Sequence, residues 1–206
     1  MTKPSPWILT AGGRKFHYQS DDPAQFNVDD MAAALSRMCR YGGHISDEYD
    51  DDIYSVAQHS VYVYWLLLKK GAPKHVLPWA IAHDMPEAYW TDVPSPLKSL
   101  LPNYKAMEND SAAIMRERYG IPYDDEVERY VKWADMQVLY AESREITSIP
   151  SELWDDGVKS EYTLYDIDPH FFLWRPRFAR QVFLSAYTEA MEHANTNGAM
   201  SYADAS

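Results

Sequence analysis

Apolar residues at helical spacing, bracketed by cap residues at each end, restrict what this chain can fold into more than any other feature. From Asn27 onward, Val28, Met31, Leu35 and Met38 recur at intervals of three and four, with Asn27 placed as an N-cap and Gly42-Gly43 expected to end the helix. Ser55-Val56-Ala57-Gln58 reads as a capping box, and Gly71 closes the helix it opens as a C′ glycine. Val76 to Ala82 begins another helix that tolerates Pro78 in its first turn, and Pro86 marks either a kink or a fresh start. Further helices are expected near Asn103–Tyr119, stopped by Gly120, near Asp124–Ile149 and near Pro176–Ala194. Segments of this period, separated by Gly and Pro, predict an all-α helical bundle.

One segment departs from that pattern. Trp7-Ile8-Leu9-Thr10 and Lys15-Phe16-His17-Tyr18 flank Ala11-Gly12-Gly13-Arg14, which predicts a β-hairpin with glycines in its turn. The expected organisation is a small hairpin appendage over 1–26, a helical bundle over 27–195 and a frayed polar tail over 196–206. The Pro- and Asp-rich stretch Pro150 to Arg175 is expected to be irregular. A chain of 206 residues, 46% hydrophobic and 24% charged, is long enough and apolar enough for one real core.

Charge and cysteine usage narrow the function. The formal net charge of −12 excludes a general nucleic-acid surface, which needs clustered Lys and Arg to neutralise phosphates. Cys39 is the single cysteine, so neither an internal disulfide framework nor a multi-Cys metal cluster is available, and any metal must be held by His, Asp and Glu. The first residues show no basic segment followed by an apolar one, and apolar runs such as Val61–Leu68 fall short of a bilayer span. A soluble, cytoplasmic, unprocessed protein without a membrane partner is expected.

Candidates on three different helices face inward. His59 follows the capped start of its helix among Val56, Val63 and Leu66; alone it reads as a core histidine. His83-Asp84 ends the next helix. Asp135 lies on the stripe Val127, Val131, Val138, where an unpaired carboxylate costs several kcal/mol. It therefore needs a cation such as Arg37 or Arg40, strong hydrogen-bond donors, or a metal. Two imidazoles and two carboxylates form a mixed nitrogen and oxygen set suited to Mn, Co, Fe or Zn. Glu87, three residues after Asp84, shares its side and is placed to handle protons. Asp92 sits in Thr91-Asp92-Val93-Pro94-Ser95-Pro96-Leu97-Lys98, where the prolines fix the path and Lys98 offers a phosphate-binding cation; alone, Asp92 reads as a turn residue.

Taken in order, Ala34 to His44 (Ala-Leu-Ser-Arg-Met-Cys-Arg-Tyr-Gly-Gly-His), Tyr54 to Val61 around His59, Ala82 to Lys98 and Lys132-Trp133-Ala134-Asp135 resemble the HD-domain phosphohydrolases. The resemblance is to the branch with bacterial 5′-deoxynucleotidases and phage-encoded dATP triphosphohydrolases, and runs from about Trp7 to Arg144. It implies one divalent metal ion (Mn, Co, Zn, Fe or Mg) on His59, His83, Asp84 and Asp135, which polarises a phosphoryl oxygen and acidifies a bound water. It implies that Glu87 activates that water, that Asp92 assists catalysis or protonates the leaving group, and that Arg40 and Tyr41 contact the phosphate and the sugar or base. Tyr41 stands where several relatives have Trp. Arg37, one turn earlier on the expected helix, is the alternative phosphate contact, and His44 serves either the phosphate or loop packing.

The implied reaction is hydrolysis of a purine deoxynucleoside triphosphate such as dATP, or of a 5′-deoxynucleoside monophosphate; basic groups near the site, for instance Arg14, Lys15 or Lys105, would favour the triphosphate. Competing readings are a hydrolase of a signalling nucleotide of the guanosine tetraphosphate type and a non-catalytic acidic interaction protein. The resemblance also implies a homo-oligomer, in host cytoplasm if phage-encoded. The aromatic C-terminal half, Phe171, Phe172, Trp174, Phe178, Phe183 and Tyr187, packs either between subunits or within one.

Overall fold

Helices account for most of the computed structural model, which describes residues 5–49, 52–148 and 160–198. The predicted hairpin is present: β1 (Trp7–Leu9) pairs antiparallel with β2 (Lys15–His17), Ile8 opposite Phe16, and Gly13 takes the positive φ of the turn. Phe16 points into the bundle, fully buried, and stacks on Tyr89 with ring centroids 3.9 Å apart. Phe26 meets both rings edge-on, so one aromatic cluster pins the hairpin to the helices.

Asn27 caps α1 (Val28–Leu35), its side chain accepting from the Asp30 N–H at 3.1 Å. The helix stops at Leu35, well before Gly42-Gly43. Cys39 forms an antiparallel bridge with Ser55, the Arg40 N–H donating to the Tyr54 carbonyl at 2.8 Å and the Val56 N–H to the Met38 carbonyl at 3.0 Å. Pairing with the segment ahead of the next helix satisfies backbone groups that a longer α1 would have satisfied internally. Arg40–Gly43 then forms a tight 3-10 turn in which Tyr41 has φ of 57°.

Ser55 caps α2 (Val56–Lys69) as predicted, its hydroxyl accepting from the Gln58 N–H at 3.2 Å. Gln58 does not complete the box. Fully buried, its amide nitrogen donates to the Tyr62 hydroxyl at 2.9 Å and the Phe172 carbonyl at 2.8 Å, and its oxygen accepts from the Trp174 N–H at 3.0 Å. Burial obliges the amide to find partners at both ends, and the C-terminal segment supplies them. Ser55→Ala is expected to cost about 1 kcal/mol, read as a Tm roughly 2–4 °C lower in a thermal melt.

The chain continues through α3 (Leu77–Ala82), α4 (Glu87–Trp90), α5 (Ser95–Lys98) and α6 (Pro102–Tyr119), the last ended by Gly120 in the left-handed region. Asp124 caps α7 (Asp125–Glu145), accepting from the Val127 N–H at 2.8 Å. A short α8 (Leu164–Ile167), with its own capping box from Thr163 and Asp166, lies in the stretch expected to be irregular. The final helix, α9 (Pro176–Gly198), reaches past Ala194. Part of that irregular stretch (150–159), the tail beyond 198 and Asp50-Asp51 of the acidic run lie outside the described residues.

Buried α2 packs against α3, α7 and α9, and this arrangement brings the start of α2, the end of α3 and the middle of α7 to one place. Trp174 and Phe183 are buried within the single chain, whereas Phe172 and Phe178 are exposed and stacked on each other. Among the described residues no helix is long and apolar enough to cross a membrane.

Candidate metal centre

His59, His83 and Asp84 converge so that one ligand atom from each lies within 4.8 Å of the others. Asp84 Oδ2 lies 3.4 Å from His83 Nε2 and 3.7 Å from His59 Nε2. Asp135 joins from α7, with Oδ1 3.1 Å from His59 Nε2. The other ring nitrogen of each histidine is committed: His83 Nδ1 lies 2.8 Å from the Ala80 carbonyl, and His59 Nδ1 lies 2.6 Å from Glu142 Oε1. Each partner is an acceptor, so each Nδ1 carries a proton, and in the neutral imidazole each Nε2 turns a lone pair inward.

Both Nε2 atoms are buried without a well-formed hydrogen bond. Around them stand carboxylates, which have no proton to give. Two imidazole nitrogens converging with the Asp84 carboxylate, with Asp135 beside His59, make a mixed nitrogen and oxygen set whose chemistry fits Mn, Co, Fe or Zn. His59, His83 and Asp84 are the converging residues that could hold an ion, and Asp135 stands against His59 outside that group.

Glu142, absent from the residues selected by sequence, is the best-connected carboxylate here. It is fully buried, two turns beyond Asp135 on the same face of α7. Its Oε1 accepts from the Tyr54 hydroxyl at 2.6 Å besides facing His59 Nδ1, while Oε2 accepts from the Tyr41 hydroxyl at 2.7 Å and lies 3.4 Å from Arg40 Nε. Its position could have been found, because Glu142 continues the stripe Val131, Asp135, Val138 at helical spacing and an acid there must be buried.

These contacts set the charges. In the metal-free protein burial and Arg40 push His59 down, but the Glu142 charge and the close contacts with Asp135 and Glu142 outweigh them and hold it at about 9, so a bound metal ion would displace a proton from Nε2. Burial pushes Glu142 up, but the charges of His59 and Arg40 and the bonds from His59 and Tyr54 bring it to about 2. Asp135 is likewise lowered against its burial by His59, His83 and Arg40. A raised histidine contributes stability that is complete below its unfolded value near 6.5 and lost as pH rises through 9. A depressed Glu142 contributes stability present above 4.5 and lost as pH falls toward 2. Metal-free protein is therefore expected to melt highest between about pH 4.5 and 6.5 and several degrees lower at pH 9; a Tm in chelator that rises from pH 6.5 to 9 would contradict this.

No protein-family model matches the chain. It is 37% identical over 148 residues, 72% of its length, to the uncharacterized protein YfdR of Escherichia coli (strain K12), covering 76% of that protein. The chain belongs to the YfdR family. A Rhodobacter capsulatus protein, the uncharacterized RCAP_rcc00048, is 26% identical over 145 residues, 68% of this chain and 72% of its own length. Neither name carries an activity, so for this YfdR relative chemistry has to be argued from the side chains.

Glu87 lies beside the cluster, 7% exposed, with Oε1 3.5 Å from Lys98 Nζ and Oε2 buried without a hydrogen-bond partner. Burial, then the charges of Asp84 and Asp92, push its carboxyl well above the usual range. Asp92 is raised mainly by burial, with Arg40 opposing. Arg40 reaches Asp84 Oδ2 at 3.4 Å, and Lys98 also pairs with Glu108 at 3.0 Å. Two cavities flank this line of charge. The smaller, about 220 Å³, is lined by Arg40, Tyr41, Asp92, Pro94, Pro96 and Leu139. The larger, about 490 Å³, opens beside His83, Asp84 and Glu87 and receives Lys98, Lys105, Arg116 and Lys132.

Other sequence candidates lie apart. Because α1 ends early, Arg37 does not share a helix with Arg40; it is exposed just past α1 and donates back to the Ala33 carbonyl near the end of that helix. His44 is exposed in the turn after Arg40–Gly43. Arg14 pairs with Asp30 at 3.0 Å and Lys15 covers Trp7, both on the hairpin, whereas Lys105 reaches the larger cavity.

Proposed function

We propose that the chain is a metal-dependent hydrolase of deoxynucleotide phosphates, of the HD-domain type its motifs resemble. The observation that carries this reading is the convergence of two buried imidazole nitrogens with Asp84, Asp135 standing against His59, beside the buried carboxyl of Glu87, whose pKa is raised. A divalent ion on these four residues would polarise a phosphoryl oxygen and lower the pKa of water. Glu87 is placed to take a proton from the attacking water, since its raised pKa brings it nearer neutrality. Asp92, on the side of Arg40 and Tyr41, is placed to return a proton to the leaving oxygen. Arg40 and Lys98 balance charge on the phosphoryl oxygens. The carboxylates concerned are largely buried, which favours a site over an acidic surface that imitates nucleic acid.

The smaller cavity, walled by Tyr41, Pro94, Pro96 and Leu139, suits a sugar or base. In the larger one Glu108 is engaged by Lys98 and Glu128 accepts from Trp79, while Lys105 and Lys132 have no ion-pair partner among the described residues. Free cations beside the cluster favour the triphosphate over the monophosphate. They act locally despite a net charge of −12, because the Debye length is about 8 Å at physiological salt. Lys105→Ala is expected to raise KM for dATP about fivefold and leave that for dAMP unchanged, in a phosphate-release assay. The reading is tested by elemental analysis, then by product release from dATP, dAMP and guanosine tetraphosphate with several divalent ions. Release from dATP is expected, and metal-loaded protein that releases nothing from any of them would overturn it.

A further inference from the structure

We propose that Glu142 is a positioning residue that ties the metal-ligand face of the site to its phosphate-contact arm. The inference rests on the reading of His59 as a ligand and Arg40 as a phosphate contact. Each carboxylate oxygen serves one arm. Oε1 receives His59 Nδ1 and the Tyr54 hydroxyl, both at 2.6 Å, which aims His59 Nε2 at Asp84 and Asp135. Oε2 receives the Tyr41 hydroxyl at 2.7 Å and faces Arg40 Nε at 3.4 Å.

Two features argue that this is more than filling of the core. A fully buried carboxylate is a poor choice for stability alone, since a well-packed apolar side chain serves as well or better. Tyr41 also stands at φ of 57°, a conformation unfavourable to a non-glycine residue that persists only where the surroundings hold it. The Tyr41–Glu142 bond is such a hold, and it keeps Arg40 and Tyr41 turned toward the smaller cavity. Because Asp135 and Glu142 share one face of α7, the helix that supplies one ligand also aims another.

The chemistry of the carboxylate gives the test its edge. Both oxygens accept, whereas the amide of Glu142→Gln has one acceptor oxygen and can accept for only one arm, its NH2 group facing the other with donors. The probes are Mn²⁺ alone, titrated by calorimetry, and a 5′-methylene phosphonate analogue of dAMP, which has no ester bond to the phosphorus, titrated at saturating Mn²⁺. Glu142→Gln is expected to weaken at least one of the two by tenfold or more, within the 10- to 100-fold range for partners of metal ligands. Glu142→Ala, if it folds, is expected to weaken both. Val127→Ala, a cavity variant on the same helix away from the cluster, lowers the Tm without changing either affinity and so separates positioning from stability.

Glu142→Gln that binds both probes within twofold of the wild type overturns the inference and leaves the hydrolase reading standing. The inference is equally overturned if Val127→Ala loses affinity as much as Glu142→Gln does. Wild-type protein that binds no Mn²⁺ overturns both. If the wild type binds Mn²⁺ and Glu142→Gln weakens a probe, yet no nucleotide is hydrolysed, the hydrolase reading fails and the positioning role stands.

Discussion

Asp135→Ala is expected to emerge from purification without metal, folded, and inactive on every nucleotide. The argument begins with helix chemistry: alanine is the best helix former, so α7 loses nothing in propensity. What disappears is one of two carboxylates facing the buried His59 and His83 nitrogens. With two imidazoles and Asp84 alone, the donor set loses both a bond and a compensating charge, so the loss of affinity should exceed the 10- to 100-fold typical for a residue that only orients a ligand. His59 keeps Glu142, so the variant should melt cooperatively. The check is metal content by elemental analysis after dialysis, beside a thermal melt. A folded Asp135→Ala protein that retains stoichiometric metal would remove Asp135 from the ligand set, and His83→Ala is expected to behave the same way.

The second large effect is the converse. Glu87→Ala should keep its metal and lose turnover by about 10²- to 10⁴-fold, the range expected when a positioned acid or base is removed. Stability should not suffer much. Oε2 of Glu87 is buried without a hydrogen-bond partner, and Lys98 retains Glu108 at 3.0 Å, so the substitution deletes an uncomfortable group and orphans none. An unchanged or higher Tm, unchanged Mn²⁺ affinity and a collapsed kcat would together identify Glu87 as a proton-handling group. A fully active Glu87→Ala protein would refute that role. The pair of variants separates holding the metal from using it.

How far the site was legible in the sequence depended on the range of the interactions involved. The caps Asn27 and Ser55 and the stop at Gly120 were readable because each is settled within four residues by a backbone group that needs a partner. His59 and Asp135 were readable as inward-facing because polar residues on an apolar stripe must be explained, and Glu87 as sharing the side of Asp84 by its spacing. Gln58 was misread as half of a capping box, since nothing near it announces that Phe172 and Trp174 will take its amide. The length of α1 was misread for a similar reason: its periodicity continues to Met38, but the bridge between Cys39 and Ser55 draws the chain out of the helix.

Composition and local pattern alone thus determined an all-α chain with an N-terminal hairpin, the starts of its longer helices, and the kinds of side chain from which a site could be built. Only the tertiary structure decided which of those side chains meet. It separated Arg37 from Arg40, brought Lys105 rather than Arg14 and Lys15 to the larger cavity, and joined His59, Tyr54, Tyr41 and Arg40 on Glu142. The physical reason is that a cap is satisfied by its own helix, whereas a buried charge must be satisfied by whatever the packing of α2 against α7 places beside it.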